Sequence, residues 1–505
     1  MNAALLPLLA ALPLLAAATT VLLRTPLVDR ILMLGIPAAS TLAGILLVLH
    51  HAAEPVVAHS VGAFVPGVAI PFVSDTFAAV MITVTSFTTM IGALFLTRTG
   101  EDRLRFLPAL VLMLVGGVNG ALLTGDLFNL FVFIEVMLLP SYALLAITGT
   151  WRRLGVGRLF VLINLLTSTI LLIGVGLVYG VVGTVTMAEL VGVAQEDPRA
   201  ALAVGVVLFA LSIKAGVVPL HGWLPRSYPA TSSGIMALFA GLHTKVAIYA
   251  LYRVYAITQD GTPSAWIPLL AVVVVVTILL GAVASYGEFR IRGVLAYQMV
   301  SGVGHILLGL AIFTELALAA GIFYMAHHII TMGALLLTAG AIEETYGTGR
   351  LDRLQGLMRR EWWLAAMFAV GLLSLVGLPP TSGLWGKVGL VLAAVGVGGW
   401  EAWVYVGAIV AASIASMLAL QYLWGEVFWG APQQVYWPAS ARTGEGPELE
   451  LPETLRARAG LVAPGTILLG TSVAIFVAAG WLMPVVTRAG AGLLALAPYV
   501  EAVLG

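Results

Sequence analysis

Long apolar runs follow one another along almost the whole chain of 505 residues, and they constrain its fold more than any other feature. Hydrophobic residues make up 60% of the sequence and charged residues 10%, whereas a soluble domain carries about a quarter charged residues. The mean hydropathy is +1.05. Because a membrane-spanning helix needs about 20 consecutive apolar residues, the sequence predicts an all-α integral membrane protein with very little mass outside the bilayer.

The apolar runs predict about 14 transmembrane helices. We place them at 3–23, 31–50, 70–96, 106–123, 127–148, 158–180, 201–225, 230–256, 265–285, 291–313, 317–342, 363–394, 402–428 and 463–487. The first run resembles the core of a signal peptide but lacks a basic segment before it, so we interpret it as a retained span. The stretch 430–459 is rich in Pro, Glu and Arg and predicts a loop. We therefore treat 1–505 as a single transmembrane domain.

The arginines predict the orientation of these spans. Connections that follow odd-numbered spans hold most of the arginines, whereas those that follow even-numbered spans hold little beyond Arg199, with Arg253 near the end of span eight. Loops rich in basic residues remain in the cytoplasm. The pattern predicts a multi-pass protein of the cell (plasma) membrane with an even number of spans and both termini on the extracytoplasmic side.

Ionisable side chains inside the predicted spans are the main functional signal. The chain has only three lysines, Lys214, Lys245 and Lys387, and all of them lie in apolar stretches, as does Glu135. A charged group at the centre of a spanning helix costs at least about 2.5–3.5 kcal/mol, so such residues face a protein interior or a wet cavity and mark ion pathways. The pattern indicates a protein that moves charge across the membrane.

Prolines interrupt two of the spans that carry lysine. Lys214 lies shortly before Pro219, and Lys387 lies shortly after Pro379 and Pro380. Proline removes a backbone donor and clashes with the preceding turn, so we expect both helices to break there. Broken helices in corresponding positions of two halves indicate a transport site built on inverted repeats. We predict two inverted five-helix repeats, 106–256 (spans 4–8) and 265–428 (spans 9–13), with Lys214 and Lys387 as counterparts.

Several segments of the chain resemble a known family. They are 124–135 (TGDLFNLFVFIE), 214–225 (KAGVVPLHGWLP), 240–245 (AGLHTK), 295–304 (LAYQMVSGVG), the pair His327 and His328, and 377–387 (GLPPTSGLWGK). Together they are similar to the proton-translocating membrane subunits shared by respiratory complex I and the Mrp multisubunit sodium/proton antiporters. The first segment and the chain length most resemble D-type Mrp subunits.

The resemblance implies a function, a relay and partners. It implies a secondary transporter subunit rather than an enzyme, with no cofactor, carrying H+ inward to drive Na+ extrusion. Other Mrp subunits, especially the A- and C-type, would be required partners, in addition to membrane lipids. Three positions depart from the family pattern: Met332 replaces a common lysine, Arg226 replaces a common acid, and His243 replaces a common aliphatic residue. These departures leave the route between the two halves open.

We expect Glu135, Lys214, Lys245, His328 and Lys387 to form the proton relay. In this hypothesis Glu135 pairs with Lys214, and the proton passes through Lys245 and His328 to Lys387. His327, His305, Thr331 and Ser301 are further candidates for the relay. Structural alternatives to the relay stay open. A membrane lysine can bond a loop carbonyl or extend to the interface, Glu135 can be a purely structural ion-pair partner, and a histidine can be a satisfied core residue.

Composition and motifs narrow the function further. The chain has no cysteine, which excludes thiolate-bound clusters and disulfides. It shows no metal-ligand motif or phosphate-binding loop, and no basic face suited to nucleic acid. Two alternatives to an antiporter subunit stay open at this point. One is a proton-pumping membrane subunit of complex I or of a membrane-bound hydrogenase, and the other is a structural scaffold that evolved from such a pump.

Overall fold

The computed structural model describes residues 2–23, 25–64, 68–147, 151–437 and 446–505. Its α-helices are α1 (Leu8–Leu23), α2 (Pro26–His50), α3 (Thr76–Thr99), α4 (Leu107–Leu123), α5 (Leu127–Ala146), α6 (Trp151–Val182), α7 (Val193–Glu196), α8 (Pro198–Ala215), α9 (Trp223–Ser227), α10 (Ser233–Thr258), α11 (Ile267–Ala284), α12 (Ile291–Ile312), α13 (Glu315–Tyr346), α14 (Trp362–Val376), α15 (Gly383–Val397), α16 (Gly399–Phe428), α17 (Ala459–Val477), α18 (Ala479–Leu494) and α19 (Ala497–Leu504). The all-α integral membrane class is therefore confirmed.

Two short antiparallel hairpins lie in the connections. Strands β1 (Val56–Ser60) and β2 (Pro71–Asp75) pair between α2 and α3. Strands β3 (Val435–Tyr436) and β4 (Leu449–Glu450) pair within the predicted loop 430–459. Residues 438–445 of that loop, and residue 148 at the end of the fifth predicted span, lie outside the described residues.

The number of long apolar helices is smaller than the fourteen spans that the sequence predicts. Twelve helical segments of the described chain are long and apolar enough to cross a bilayer, or thirteen if the bent pair α18 and α19 is one span. Two of the fourteen predicted spans fall outside this set. Span 106–123 corresponds to α4, of 17 residues, and span 363–394 corresponds to α14 and α15, of 15 residues each. The count of fourteen and the inverted repeats stay predictions.

The last predicted span, 463–487, differs in extent from the helices found there. The helix ends at Val477, and a second helix begins at Ala479 and continues to Leu494. Hydropathy stays high across this junction, so the sequence pattern merges two helices into one. Gly465 of α17 lies beside Thr338 of α13, and Gly490 of α18 lies beside Ala319 near the other end of α13. The two helices therefore line α13 in the antiparallel sense, one after the other.

Helices α10, α12 and α13 form the centre of the bundle. Every residue of α10 is buried, and α12 and α13 are almost as fully enclosed. Small residues permit this close packing, as is common among helices in membranes. Gly302 of α12, for example, lies directly against the imidazole of His328 on α13, where a β-carbon would clash. Helices α1, α2 and α6 instead expose many leucine and isoleucine side chains on the outside.

Two breaks with the same local plan interrupt the helices. Helix α8 ends at Ala215 and is followed by Gly216 with φ +82°, and α14 ends at Val376 and is followed by Gly377 with φ +93°. Because L-residues rarely adopt positive φ, glycine is suited to both positions. A cis peptide bond follows in each case, at Val218–Pro219 and Pro379–Pro380. The chain then re-enters helical structure at Leu220 and Gly383.

Candidate functional site

The first break places Lys214 inside the protein. Lys214 lies in the last turn of α8 and is 2% exposed. Its Nζ is 3.5 Å from Oδ1 of Asn164 on α6. The ammonium therefore has a neutral oxygen partner at the point where the helix ends, and it does not reach the lipid.

Glu135 lies near Lys214 but does not touch it. The half-buried Glu135 carboxylate accepts a hydrogen bond from Oγ of Ser168 on α6. Its charge acts on Lys214, yet the two side chains are not within 4.0 Å and so are not among the ion pairs of the described residues. Asn164 and Ser168 are one helical turn apart, so α6 offers one neutral polar group to the acid and one to the lysine.

Sequence reasoning missed Asn164 and Ser168. The signal was present, because both are polar residues at i and i+4 in the largely apolar span 158–180. The direct Glu135–Lys214 ion pair that we predicted is not formed in this structure, since the α6 side chains bond each partner separately. The result is an acid and a base that are coupled electrostatically but not in contact.

His243 joins this first cluster from α10. Its Nε2 is 2.8 Å from Oγ of Ser141 on α5, and that hydroxyl also donates to the carbonyl of Met137. The imidazole is buried and lies against the ring of Phe239 in a tilted arrangement, with ring centroids 4.7 Å apart. The charge of Lys214 acts on it. The sequence showed His243 only as a departure from the family pattern.

Lys245 occupies the centre of the bundle. It is fully buried, and its Nζ donates to the carbonyl of Ala240 at 3.2 Å and to Oγ1 of Thr244 at 2.9 Å. Both oxygens belong to α10 itself, so the long side chain bends back along its own helix. Helix α10 packs against α13 here, since Gly241, one turn before Lys245, lies beside Ile329, the residue that follows His328.

His328 and His305 continue the series towards the second half. Both are buried, and Nε2 of His305 has no hydrogen-bond partner among the described residues. His305 stacks on Tyr324 with centroids 5.3 Å apart, and Tyr324 also lies 6.2 Å from His328. Nδ1 of His305 is 2.9 Å from the carbonyl of Ser301. Histidine nitrogens without partners suit a role in proton exchange.

His327 faces a cluster of hydroxyl groups at the second break. Its Nδ1 is 2.8 Å from Oγ of Ser382 and 3.2 Å from Oγ1 of Thr331. Ser374 and Ser472 complete the cluster, with Oγ1 of Thr331 3.2 Å from each of their hydroxyls. Sequence reasoning missed all three serines. Ser472 comes from α17, outside the predicted repeats, so only the tertiary structure reveals it.

Lys387 closes the series. It lies in the second turn of α15, and its Nζ donates to the carbonyl of Val376 at 2.9 Å and to Oγ of Ser413 at 2.7 Å. An ammonium at the carbonyl end of a helix is stabilised by the helix dipole. Lys387 also lines a cleft of about 370 Å³ between α15 and α16. Its charge acts on His327 and His305.

The predicted site residues thus fall into two electrostatic groups. The first holds Glu135 and Lys214, and the second holds Lys245, the three histidines of α12 and α13, and Lys387. Thr331 belongs to the hydroxyl cluster, whereas Ser301 donates its hydroxyl to the carbonyl of Ile278 on α11 and so is committed to helix packing. The described residues contain no group of three or more acidic or histidine side chains placed to hold a metal ion.

A third buried charge cluster lies at one end of the bundle, away from both groups. Nη2 of Arg253 is 2.6 Å from Oδ2 of Asp75, and both side chains are more than nine-tenths buried. The guanidinium lies over the rings of Phe77, Tyr249 and Tyr499, at 5.8, 5.5 and 5.4 Å from their centroids. Oδ1 of Asp75 also caps α3 through the amide of Ala78.

The chain is similar to known membrane proteins in both sequence and fold. Residues 124–414 match the family model described as NADH:quinone oxidoreductase/Mrp antiporter, transmembrane. The chain is 36% identical to the D-type subunit of the Na(+)/H(+) antiporter of Alkalihalophilus pseudofirmus, over 74% of this chain and 77% of that one. A chain of the Mrp complex from Dietzia sp. superposes with a TM-score of 0.94 at 41% identity, over the whole of both chains. A chain of respiratory complex I from Thermus thermophilus superposes with a TM-score of 0.78 at 25% identity, over 97% of this chain and 99% of that one. Our chain therefore belongs to the family of membrane subunits shared by NADH:quinone oxidoreductase and the Mrp antiporters.

Proposed function

We propose that this chain is the proton-translocating subunit of a multisubunit Na+/H+ antiporter, in which protons moving along the buried relay drive sodium extrusion. The naming of the relative from Alkalihalophilus pseudofirmus and the superposition on a chain of the Dietzia Mrp complex support this assignment. The chain acts as a secondary transporter and not as an enzyme. It carries H+ and works together with Na+ transport, and it needs no cofactor.

The observation that carries the proposal is the course of the buried titratable groups. From Lys214 through Lys245 and the histidines to Lys387, each lysine is enclosed by protein, with exposures of 2%, 0% and 7%. Isolated ammonium groups are expensive at membrane depth. Three ammonium groups, separated by histidines and hydroxyls inside one bundle, are better explained by a role in proton transfer than by a structural role.

The first pair acts as the input switch in this proposal. Burial disfavours the charged form of lysine, and a nearby carboxylate favours it. Unit charges about 4 Å apart interact by about 4 kcal/mol at an effective dielectric of about 20. When Glu135 moves towards Lys214, the lysine holds its proton, and when Glu135 moves back to Ser168, the lysine releases the proton towards α10. His328 and the His327 hydroxyl cluster then pass it to Lys387.

The setting of the chain follows from the same reasoning. The arginine distribution supports placement in the cell membrane with both termini on the extracytoplasmic side. The partners are other Mrp subunits, with the A- and C-type subunits as the specific neighbours, together with membrane lipids. Sodium is carried by the assembled complex, so the chain needs these partners for activity.

Antiport by everted membrane vesicles that contain the whole complex tests the proposal. Addition of sodium should dissipate a preformed pH gradient, and Glu135→Gln or Lys214→Ala should reduce the rate by about tenfold or more. Assembly of each variant is checked by co-purification of the partner subunits. Full antiport by both variants would contradict the relay, and robust antiport by the purified chain alone would contradict the need for partners.

A second candidate function is a proton-pumping subunit of complex I or of a membrane-bound hydrogenase. The superposition on a chain of Thermus thermophilus complex I favours keeping it. In that case electron transfer in neighbouring chains, and not a sodium gradient, would drive the protons. Proton pumping that depends on a quinone or hydrogen substrate and is indifferent to sodium would favour this second function. A scaffold role would require that neutral replacements of Lys214 and Lys387 leave sodium tolerance unchanged.

A further inference from the structure

Helix α10 packs against α8, which carries Lys214, and also against α13, which carries His327 and His328. On one side, the ring of His243 lies 6.1 Å from that of Phe160 on α6, one turn from the Asn164 that is the partner of Lys214. On the other side, Gly241, one turn before Lys245, lies beside Ile329 of α13. His243 and Lys245 are two residues apart on the same helix, so their α-carbons direct the side chains about 200° apart. Helix α10 therefore stands between the halves and carries one titratable group towards each of them.

The side chain of Lys245 reduces this separation. Its ammonium is bonded to the Ala240 carbonyl and the Thr244 hydroxyl. Thr244 lies about 100° from each of its neighbours around the helix, and Ala240 lies one turn below it. The Lys245 nitrogen therefore lies to one side of its own helix face, towards Thr244, the residue between His243 and Lys245 in the sequence.

We propose that His243 is an additional relay residue, which passes protons between Lys214 and Lys245 and so connects the two halves of this chain. The inference rests on the proposed function of the relay. The imidazole is anchored by Ser141 on α5 and is enclosed by Phe239 and Phe160. Because the Ser141 hydroxyl donates to the Met137 carbonyl, it accepts from Nε2–H of His243. This fixes the ring orientation and leaves Nδ1 as the nitrogen that takes up a proton in the neutral form.

This role also answers the question raised by Met332. Met332 is fully buried on α13 and carries no titratable group, so the chain has no ammonium at that position. The imidazole of His243 instead supplies a titratable group on the side of α10 that faces the Lys214 group. The second half then receives the proton through Lys245 and His328.

Two replacements of His243 separate a relay from a packing role. His243→Phe keeps an aromatic ring against Phe239 and Phe160 but carries no proton. His243→Gln keeps an N–H donor for Ser141 but also does not titrate. We expect both variants, in everted vesicles with the whole complex, to lose about tenfold or more of the sodium-dependent antiport rate. His59→Ala on strand β1 removes a histidine far from the relay and is expected to stay within about twofold of the unmodified chain.

The outcomes distinguish this inference from the proposed function. If the unmodified complex shows no sodium-dependent proton movement, the proposed function itself fails. If the unmodified complex is active and either His243→Phe or His243→Gln retains its rate, then His243 serves packing or hydrogen bonding and the inference is overturned. Failure of both variants to assemble with the partner subunits would likewise assign His243 to packing and overturn it.

Discussion

Two buried acid–base pairs of this chain differ in how closely their partners meet. Asp75 and Arg253 are in direct contact, 2.6 Å apart and surrounded by three aromatic rings. Glu135 and Lys214 are kept apart, because α6 gives the acid a serine hydroxyl and the lysine an asparagine oxygen. We call the Asp75–Arg253 pair closed, because its charged groups are in contact, and the Glu135–Lys214 pair open, because its charged groups are not.

The chemistry of the two cations matches this difference. Arginine remains protonated in proteins and is suited to permanent ion pairs, whereas lysine changes its protonation readily when it is buried. A closed pair with arginine stabilises the end of the bundle where α3 begins and α10 ends. A lysine that is not in contact with its acid keeps the ability to lose its proton. We propose that closure of the Asp75–Arg253 pair serves structure and that separation of Glu135 from Lys214 serves transport.

The largest effect is expected when the closed pair loses its charge on one side. Asp75→Asn keeps an oxygen to cap α3 but leaves the Arg253 guanidinium buried without a counter-charge. Breaking a buried pair in this way costs about 3–5 kcal/mol. We expect the midpoint of thermal unfolding of the purified complex to fall. The fraction of the Asp75→Asn complex that remains folded should still transport ions.

The exposed pair of Arg350 and Asp352 provides the control for this measurement. Asp352 is 54% exposed, and the two charges are 2.6 Å apart. Surface pairs contribute only about 0–1 kcal/mol, so Asp352→Asn should unfold close to the temperature of the unmodified complex. An Asp75→Asn complex that is as stable as this control would remove the structural side of the comparison.

Lys214→Arg tests the open pair. This change keeps a positive charge beside Asn164 and Glu135 but removes the ability to release a proton. We expect antiport in vesicles to fall about 100-fold, with the thermal stability of the complex almost unchanged. The reciprocal change, Arg253→Lys, keeps a cation in the closed pair and should preserve most of the antiport. If Lys214→Arg transported at the normal rate, the charge of Lys214, and not its proton, would be its contribution.

Much of this architecture could be predicted from the sequence. Runs of apolar residues predict spanning helices because the bilayer leaves few other ways to satisfy the backbone. The lysines could be recognised for the same reason, since each conflicts with its apolar surroundings. The helix ends at Ala215 and Val376 lie within a few residues of the prolines that indicated a break. Local sequence was sufficient to predict a feature wherever a single residue type, such as lysine or proline, indicated it.

Other parts of the site depended on distant contacts. Ser472 reaches the His327 cluster because α17 packs along α13, and no local pattern records that packing. Asn164 and Ser168 gain their meaning only from the placement of α6 between α5 and α8. The division of the last predicted span at Ala478 was missed because hydropathy does not change there. Composition indicates which segments lie within the membrane, but it does not indicate which helices are neighbours.

The smallest effect is expected when the open pair is allowed to close. Ser168→Ala removes the hydroxyl that holds Glu135 away from Lys214. A hydrogen bond to a charged group contributes about 1.5–3 kcal/mol, so its loss should let the carboxylate move towards the ammonium and form a pair like that of Asp75 and Arg253. Lys214 would then release its proton more slowly, and vesicle antiport should fall by about threefold to tenfold.

Thr169→Val is the matched control for this change. Thr169 is the next residue on α6, and its hydroxyl donates to the Leu165 carbonyl of the same helix on an exposed face. Its replacement should leave the antiport rate within about twofold of normal, because the hydroxyl contacts neither member of the pair. Unchanged or faster antiport by Ser168→Ala would mean that separation of Glu135 from Lys214 does not limit the rate, and the functional side of the comparison would then rest on the lysine alone.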